Sequence, residues 1–203
     1  MISAQEALAR LKEGNRRFAS DQESERSVCH AHRQELLVGQ EPFAVILGCS
    51  DSRVPVEIIF DQGIGDLFVI RVAGNVVASS QVGSVEFAAA KFGTRLVVVL
   101  GHSDCGAVTA TVDELERPKE LRSPGLRSIV DRIRPTVEEF LAPDMPHDRA
   151  ALINHSIRAN IRASTNHLRH GSSLLERLIQ NEGLLVVGAE YSLDTGLVEF
   201  LDH

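Results

Sequence analysis

Two short stretches of the sequence hold groups that could do chemistry together: Cys49-Ser50-Asp51-Ser52-Arg53 and His102-Ser103-Asp104-Cys105-Gly106. Two thiolates and an imidazole are a zinc-binding set. Three protein ligands with a fourth position left to water mark a catalytic site, and four closed ligands mark a structural one. His102 and Cys105 stand three residues apart, a spacing that predicts both on one side of a helix's first turn. The helix N-terminus there would also favour the Cys105 thiolate. Taken singly, a cysteine after a buried strand is commonly a small core residue, and a lone histidine is commonly just hydrogen-bonded. The metal reading comes from finding both at matching strand ends. Asp51 and Arg53 flank Ser52 beside the expected metal, so the guanidinium would orient the carboxylate or hold it off the zinc. The plainer alternative for that pair is a surface ion pair of little energetic weight.

The elements that must position these groups follow from the hydrophobic pattern. Phe43-Ala44-Val45-Ile46-Leu47-Gly48, Leu67-Phe68-Val69-Ile70, Leu96-Val97-Val98-Val99-Leu100 and Leu184-Leu185-Val186-Val187-Gly188 are apolar runs without alternation, as expected of strands buried on both faces. Helical segments are predicted at about 54–60, 79–92, 104–115, 126–141 and 148–170, and Ser173 with Glu176 opens another. Strands alternating with helices define an α/β fold, with a mostly parallel central sheet of four strands and helices on both faces. Leu197-Val198-Glu199-Phe200 alternates and is predicted as an edge strand. Ligands of such sheets gather beyond the carboxyl ends of the strands, where strand order reverses. Cys49 follows the first run, and His102 and Cys105 follow the third, so the three converge if those strands are neighbours.

Residues 3–18 predict an amphipathic helix, opened by a Ser3/Glu6 capping box and striped by Ala4, Leu8, Leu11 and Phe18. A polar loop over about 19–27 and a short helix over about 29–38 precede the first strand. No repeat or linker divides the chain, which predicts one domain over 1–203 with residues 1–27 as an N-terminal helical arm. With the sheet already covered on both faces, the arm's apolar stripe would have to be buried on a partner, which predicts an obligate oligomer.

The 203 residues carry 21 basic and 28 acidic side chains, a formal charge of −7. Such a chain lacks the electrostatic footprint of a nucleic-acid binder and the polybasic segment that holds a protein on an anionic membrane. No apolar run approaches the ~20 residues needed to span a bilayer. The opening Met1-Ile2-Ser3-Ala4-Gln5-Glu6 does not resemble a signal peptide, so the expected location is cytoplasmic. Three cysteines exclude a disulfide scaffold and direct attention to metal or catalytic use of thiols. Cys29-His30-Ala31-His32 looks like a metal tract, but it lies in a polar segment without a matching partner. Gly63-Ile64-Gly65 is too short for a dinucleotide loop, and Asp61 and Asp66 are read as turn and helix-end residues.

Cys-x-Asp-x-Arg followed by Gly-His-x-x-Cys-Gly resembles the β-class carbonic anhydrases. The match covers Cys49 to Arg53 and Gly101 to Gly106 without a gap, and Phe68-Val69-Ile70-Arg71-Val72-Ala73-Gly74-Asn75 is similar to the family's second-strand segment. The resemblance implies zinc on Cys49, His102 and Cys105, with water or Asp51 as fourth ligand and Asp51 paired to Arg53. It implies a homodimer, or a tetramer, with the pocket at the subunit interface. By position it also implies substrate-binding roles for Gln40, Phe68, Phe87 and Gly106. Phe87 stands where many plant-type members have tyrosine. Members with a non-catalytic bicarbonate site carry Trp where this chain has Ile46; the chain has no tryptophan, although Arg71 and Tyr191 match that site's other two residues.

The implied reaction is reversible hydration of CO2 to bicarbonate and a proton, by zinc-activated hydroxide assisted by the Asp51–Arg53 pair. Two thiolates and a neutral histidine cancel the metal's charge, which makes a weaker Lewis acid than three imidazoles would and gives a nearby carboxylate a use. Ile46, Phe68 and Phe87 would supply an apolar side for a small non-polar substrate. In the absence of the tryptophan, the site is expected open near neutral pH, with Asp51 on Arg53. Two other readings use the same scaffold: hydrolysis of CS2 or carbonyl sulfide, linear isosteres of CO2, and a closed, non-catalytic zinc site serving structure or bicarbonate sensing.

Overall fold

The computed structural model describes residues 2–22, 30–117, 123–141 and 148–201. Five strands form one sheet in the order β2-β1-β3-β4-β5, built from β1 (Ala44–Gly48), β2 (Leu67–Arg71), β3 (Leu96–His102), β4 (Leu185–Tyr191) and β5 (Val198–Leu201). The first four are parallel, and β5 joins β4 antiparallel. The chain steps from β1 to β2 on one side and then places β3 on the other side of β1. The switch point therefore falls between β1 and β3, in register at Gly48 and Leu100, and the expected convergence of the two motifs follows.

The helices are α1 (Ala4–Ala19), α2 (His30–Glu35), α3 (Val56–Ile59), α4 (Ser79–Lys91), α5 (Gly106–Glu116), α6 (Pro124–Glu138), α7 (Arg149–His170) and α8 (Ser173–Asn181). They cover both faces of the sheet, as the apolar runs predict. One face buries Val45, Leu47, Val97, Val99 and Val186 under residues of α4 to α8, among them Val85, Val108, Ile133, Ile161 and Leu175. The other buries Ile46, Val98, Leu100, Val187 and Ala189 under α1 and the single turn of α3.

That second face corrects one expectation. The stripe of α1 does find a home in its own chain: Ala4, Ala7, Leu8 and Leu11 are all buried there. A four-residue α3 cannot cover a sheet face alone, and α1 fills the gap. The predicted capping box is present, with Glu6 N–H donating to Ser3 Oγ and Ser3 N–H to the Glu6 carboxylate. Polar bolts then fix the helix. Arg17 pairs with the buried Asp61 at 2.5 Å and Arg10 with Asp66 at 2.8 Å. The buried Asn15 donates to the carbonyls of Ile59 and Gly196 and accepts from Val198 N–H. Asp61 and Asp66 are thus anchors for α1 as well as turn residues. Of the Cys29-His30-Ala31-His32 tract, Cys29 lies outside the described residues, as do 23–28.

Candidate metal centre

Cys49 leaves the end of β1, His102 ends β3, and Cys105 is the N-cap of α5. One donor atom from each lies within 4.8 Å of the other two, and all three side chains are buried. His102 and Cys105 do not share a helical turn, contrary to the spacing argument. β3 runs on through Gly101 and His102, which pair with Glu190 and Tyr191 of β4. The chain then turns through Asp104 at φ 55° before α5 begins. A left-handed aspartate is uncommon, and such backbone persists where the surroundings hold it. Here the Asp104 carbonyl accepts from Arg53 Nη2 at 3.3 Å, and Ser103 is tied to the end of β4 by its N–H to Tyr191 O and by Leu193 N–H to its hydroxyl.

The donor set fits a zinc ion. His102 Nδ1 lies 2.8 Å from the Ser103 carbonyl, a bond that assigns the proton to Nδ1 and leaves the Nε2 lone pair free. Nε2 is buried with no hydrogen-bond partner, which a metal would satisfy. The two thiols behave as a unit. The hydrogen bond from Cys105 holds the Cys49 thiol well below the usual thiol range, against its burial, with the Gly74 N–H contributing. The same bond and burial push Cys105 up. A divalent ion bound between the two sulfurs would take the place of the thiol proton. Gly74 N–H reaches the Cys49 sulfur at 3.3 Å.

Asp51 borders the cluster, with Oδ2 3.9 Å from His102 Nε2. Its carboxylate lies on Arg53: Nε donates to Oδ1 at 2.9 Å, Nη2 to Oδ2 at 2.8 Å, and the Arg53 N–H to Oδ1 at 2.9 Å. Arg53 thereby holds the Asp51 carboxyl far below the usual carboxylate range, so the group is ionised and only accepts. Arg71, at the end of β2, donates from Nε to Cys49 O at 3.0 Å and from Nη2 to Asp51 O at 2.5 Å, bracing the same loop.

Gly106 opens α5, with nothing within 4 Å of where a side chain would stand. The remaining expected pocket residues lie elsewhere in the chain. Phe68 pairs with Val45 in the register, four residues before Cys49 and about 13 Å back along the strand. It contacts Phe87 and Phe92 with ring centroids 6.2 and 6.1 Å away. Gln40 precedes β1 and lines, with Arg10, Phe43, Lys91 and Phe92, a cavity of about 530 Å³. Gln40, Phe68 and Phe87 thus gather at the β2 edge, near the start of the strands and away from the thiols of their own chain. Ile46 is buried in the apolar cluster that contains Tyr191, while Arg71 is committed to the two carbonyls. Sequence reasoning gave no role to Ser103 or Asn160, whose Nδ2 donates to Gly74 O at 2.8 Å, and quoted Gly74 only within the second-strand segment. Gly74 was findable as a glycine following a strand; Asn160 gave no signal, being one polar residue in a long helix.

A buried two-cysteine, one-histidine cluster at the switch point of a mostly parallel sheet defines a zinc-centre protein of the α/β class. Comparison with known proteins narrows this. A carbonic anhydrase 2 of Mycobacterium tuberculosis (strain ATCC 25618 / H37Rv) is 39% identical over 195 residues, covering 95% of this chain and 90% of the relative. A carbonic anhydrase of Mycolicibacterium smegmatis is 36% identical over 193 residues, 95% and 91% of the two chains. The crystal structure of the β-carbonic anhydrase CafA of Aspergillus fumigatus superposes with a TM-score of 0.75 at 27% identity, covering 98% of this chain and 90% of that one. The family model described as carbonic anhydrase matches residues 44–198, and the chain belongs to that family, in its β class. It is a zinc-dependent enzyme of reversible CO2 hydration. Among the described residues no helix is long and apolar enough to cross a membrane.

Proposed function

We propose that Cys49, His102 and Cys105 hold the zinc, that Asp51 and Arg53 are the catalytic pair, and that the working unit is a homodimer in which each chain completes the other's pocket. The observation that carries the ligand set is the group of three buried donors within 4.8 Å, with an unpartnered His102 Nε2 among them. Zinc held there supplies the Lewis acidity that makes water a nucleophile toward CO2 near neutral pH.

The chain's own residues do the rest. Asp51 accepts a hydrogen bond from the attacking water and turns its lone pair toward the substrate carbon. Arg53 fixes that carboxylate by two charge-assisted bonds, which set its plane as well as its position. Held ionised by Arg53, the carboxylate serves as a hydrogen-bond acceptor. The bonds from Arg53 to both oxygens of Asp51 favour the open site over the closed, non-catalytic alternative, in which Asp51 is the permanent fourth ligand. The open space at Gly106 leaves room for substrate.

The dimer reading rests on the separation of the pocket residues from the thiols. Gln40, Phe68 and Phe87 line an edge of their own chain, and a second copy would bring them to the site. Bare apolar side chains near that edge support this: Val38 is 97% exposed, Leu37 75% and Phe87 52%. The contact segment is then the turn at 36–38 rather than α1. Cytoplasmic location is part of the same proposal, since two neighbouring free thiols would oxidise to a disulfide in an oxidising compartment when the metal leaves. The test is stopped-flow CO2 hydration with metal analysis on the wild type and on Cys105→Ala. One zinc per chain in the wild type and a loss of zinc and activity together in the variant are expected; full zinc occupancy in the variant would remove Cys105 from the ligand set.

A further inference from the structure

We infer that Asn160 is a positioning residue for the metal centre: by holding the Gly74 carbonyl it keeps the Gly74 N–H aimed at the Cys49 sulfur. The inference rests on Cys49 being a zinc ligand. Its basis is a chain of two hydrogen bonds joining α7 to the site. Asn160 Nδ2 donates to Gly74 O at 2.8 Å, a buried bond spanning 86 residues of sequence. Gly74 N–H in turn reaches Cys49 Sγ at 3.3 Å.

The turn between these bonds has an uncommon backbone. Gly74 has φ 67° and Asn75 has φ 44°, two left-handed residues in succession, and the Asn75 N–H closes the turn onto Val72 O at 3.0 Å. Glycine and asparagine enter this region more readily than other residues, but a turn relaxed out of it would point the peptide N–H elsewhere. Backbone of this kind persists where the surroundings over-determine it. Asn160 is 2% exposed and stands in the wall of a cavity of about 570 Å³. Its amide is the side-chain donor on the Gly74 carbonyl, outside the turn itself.

The chemical consequence concerns the sulfur. An N–H bonded to a thiolate withdraws electron density from it, so the sulfur donates less to the metal and leaves the metal a stronger Lewis acid. In a site whose donor charges already cancel the ion's, that correction shifts the acidity of the activated water. Loss of the Asn160 bond should therefore make Cys49 a stronger donor and move the pH midpoint of activity upward. Outer-shell partners of metal ligands typically alter affinity or activity by about 10–100-fold.

The experiment uses the full chain loaded with cobalt(II), cadmium-113 or zinc, as wild type, Asn160→Ala, Asn160→Asp and Cys49→Ala. In the cadmium-loaded wild type, the Gly74 amide should show a scalar coupling to the metal through the Cys49 sulfur. In the cobalt forms of both Asn160 variants, the thiolate-to-metal charge-transfer band should move to lower energy at unchanged metal stoichiometry. In the zinc forms, the pH midpoint should rise by several tenths of a unit or more. A merely structural role for Asn160 would lower the melting temperature and leave band and midpoint in place, and that result overturns the inference. Absence of the Gly74 coupling in the wild type overturns it even if neither variant folds. Cys49→Ala separates the two readings: if it binds cobalt with the wild-type band, the ligand assignment has failed; if it loses the band while the Asn160 variants keep theirs, only the role of Asn160 has.

Discussion

Replacing Gly74 by alanine tests how tightly the fold holds the sulfur side of the metal centre. Two costs can be worked from the structure. Gly74 has φ 67°, and an alanine in that left-handed region costs about 1–2 kcal/mol. The new methyl would stand 2.8 Å from Ile133 Cδ1 and 3.1 Å from Ala107 Cβ. The end of Ile133 can swing away, but Ala107 moves only with α5, so the overpacking cost falls in the lower part of the usual range, about 1–2 kcal/mol. The sum is about 2–4 kcal/mol. For a chain of 203 residues each kcal/mol lowers the melting temperature by roughly 2–4 °C, so a fall of roughly 4–16 °C is expected. Gly183→Ala is the control: it has φ 71° with nothing within 4 Å of the new methyl, so only the backbone cost of about 1–2 kcal/mol applies. Thermal unfolding of both zinc-loaded variants, with metal content measured alongside, separates the terms. If Gly74→Ala melts no lower than Gly183→Ala, the turn beside Cys49 has slack, and the close-packed account of it is wrong.

Four further outcomes are expected. Arg53→Ala should lower CO2 hydration much more than zinc content, because it frees Asp51, 3.9 Å from His102 Nε2, to swing onto the metal; equal losses would make Arg53 merely structural. Val38→Asp, which puts a charge on a side chain that is 97% exposed, should shift sedimentation toward monomer and abolish activity while zinc stays bound; an active monomer would refute the shared-pocket reading. Ser103→Ala removes the hydroxyl that accepts from Leu193 N–H at 2.9 Å but keeps the carbonyl on His102, so zinc content should be unchanged and stability should fall by about 1–2 kcal/mol, measured by denaturant titration. Bicarbonate should inhibit without cooperativity, since Ile46 is buried and Arg71 is bonded to Cys49 O and Asp51 O; a Hill slope well above one in a bicarbonate titration would show a second anion site.

What the sequence made legible was whatever depends on local pattern. Apolar runs without alternation identified four parallel strands, and their ends identified Cys49, His102 and Cys105. Two adjacent charges around Ser52 were enough to pair Asp51 with Arg53. Where the reading failed, the deciding contacts were long-range. Nothing near His102 tells that Gly101 and His102 will be drawn into β3 by pairing with Glu190 and Tyr191, so the His102–Cys105 spacing looked helical. The stripe of α1 was legible as apolar, but its partner surface was not. Whether a face is free depends on α3 being a single turn, and the bolts from Asn15 to Ile59, Gly196 and Val198 span most of the chain. Asn160 was invisible for the same reason, since its partner lies 86 residues away.

The division of the sheet has a functional consequence. Metal binding is built on β1 and β3, whose runs Val45–Leu47 and Leu96–Leu100 are fully buried, and whose ends therefore keep their positions to the fraction of an ångström that coordination demands. The proposed pocket residues sit on the edge strand β2, on α4 and ahead of β1, where surface is free for another copy. A single chain can therefore assemble the charged half of the site without the apolar half. Contact between two copies would add the wall that excludes bulk water from CO2, and removal of water strengthens the electrostatic interaction between Asp51, Arg53 and the reacting groups. On this account, association acts on turnover and leaves metal affinity alone, because the interior strands fix the ligands and the exposed edge supplies the pocket.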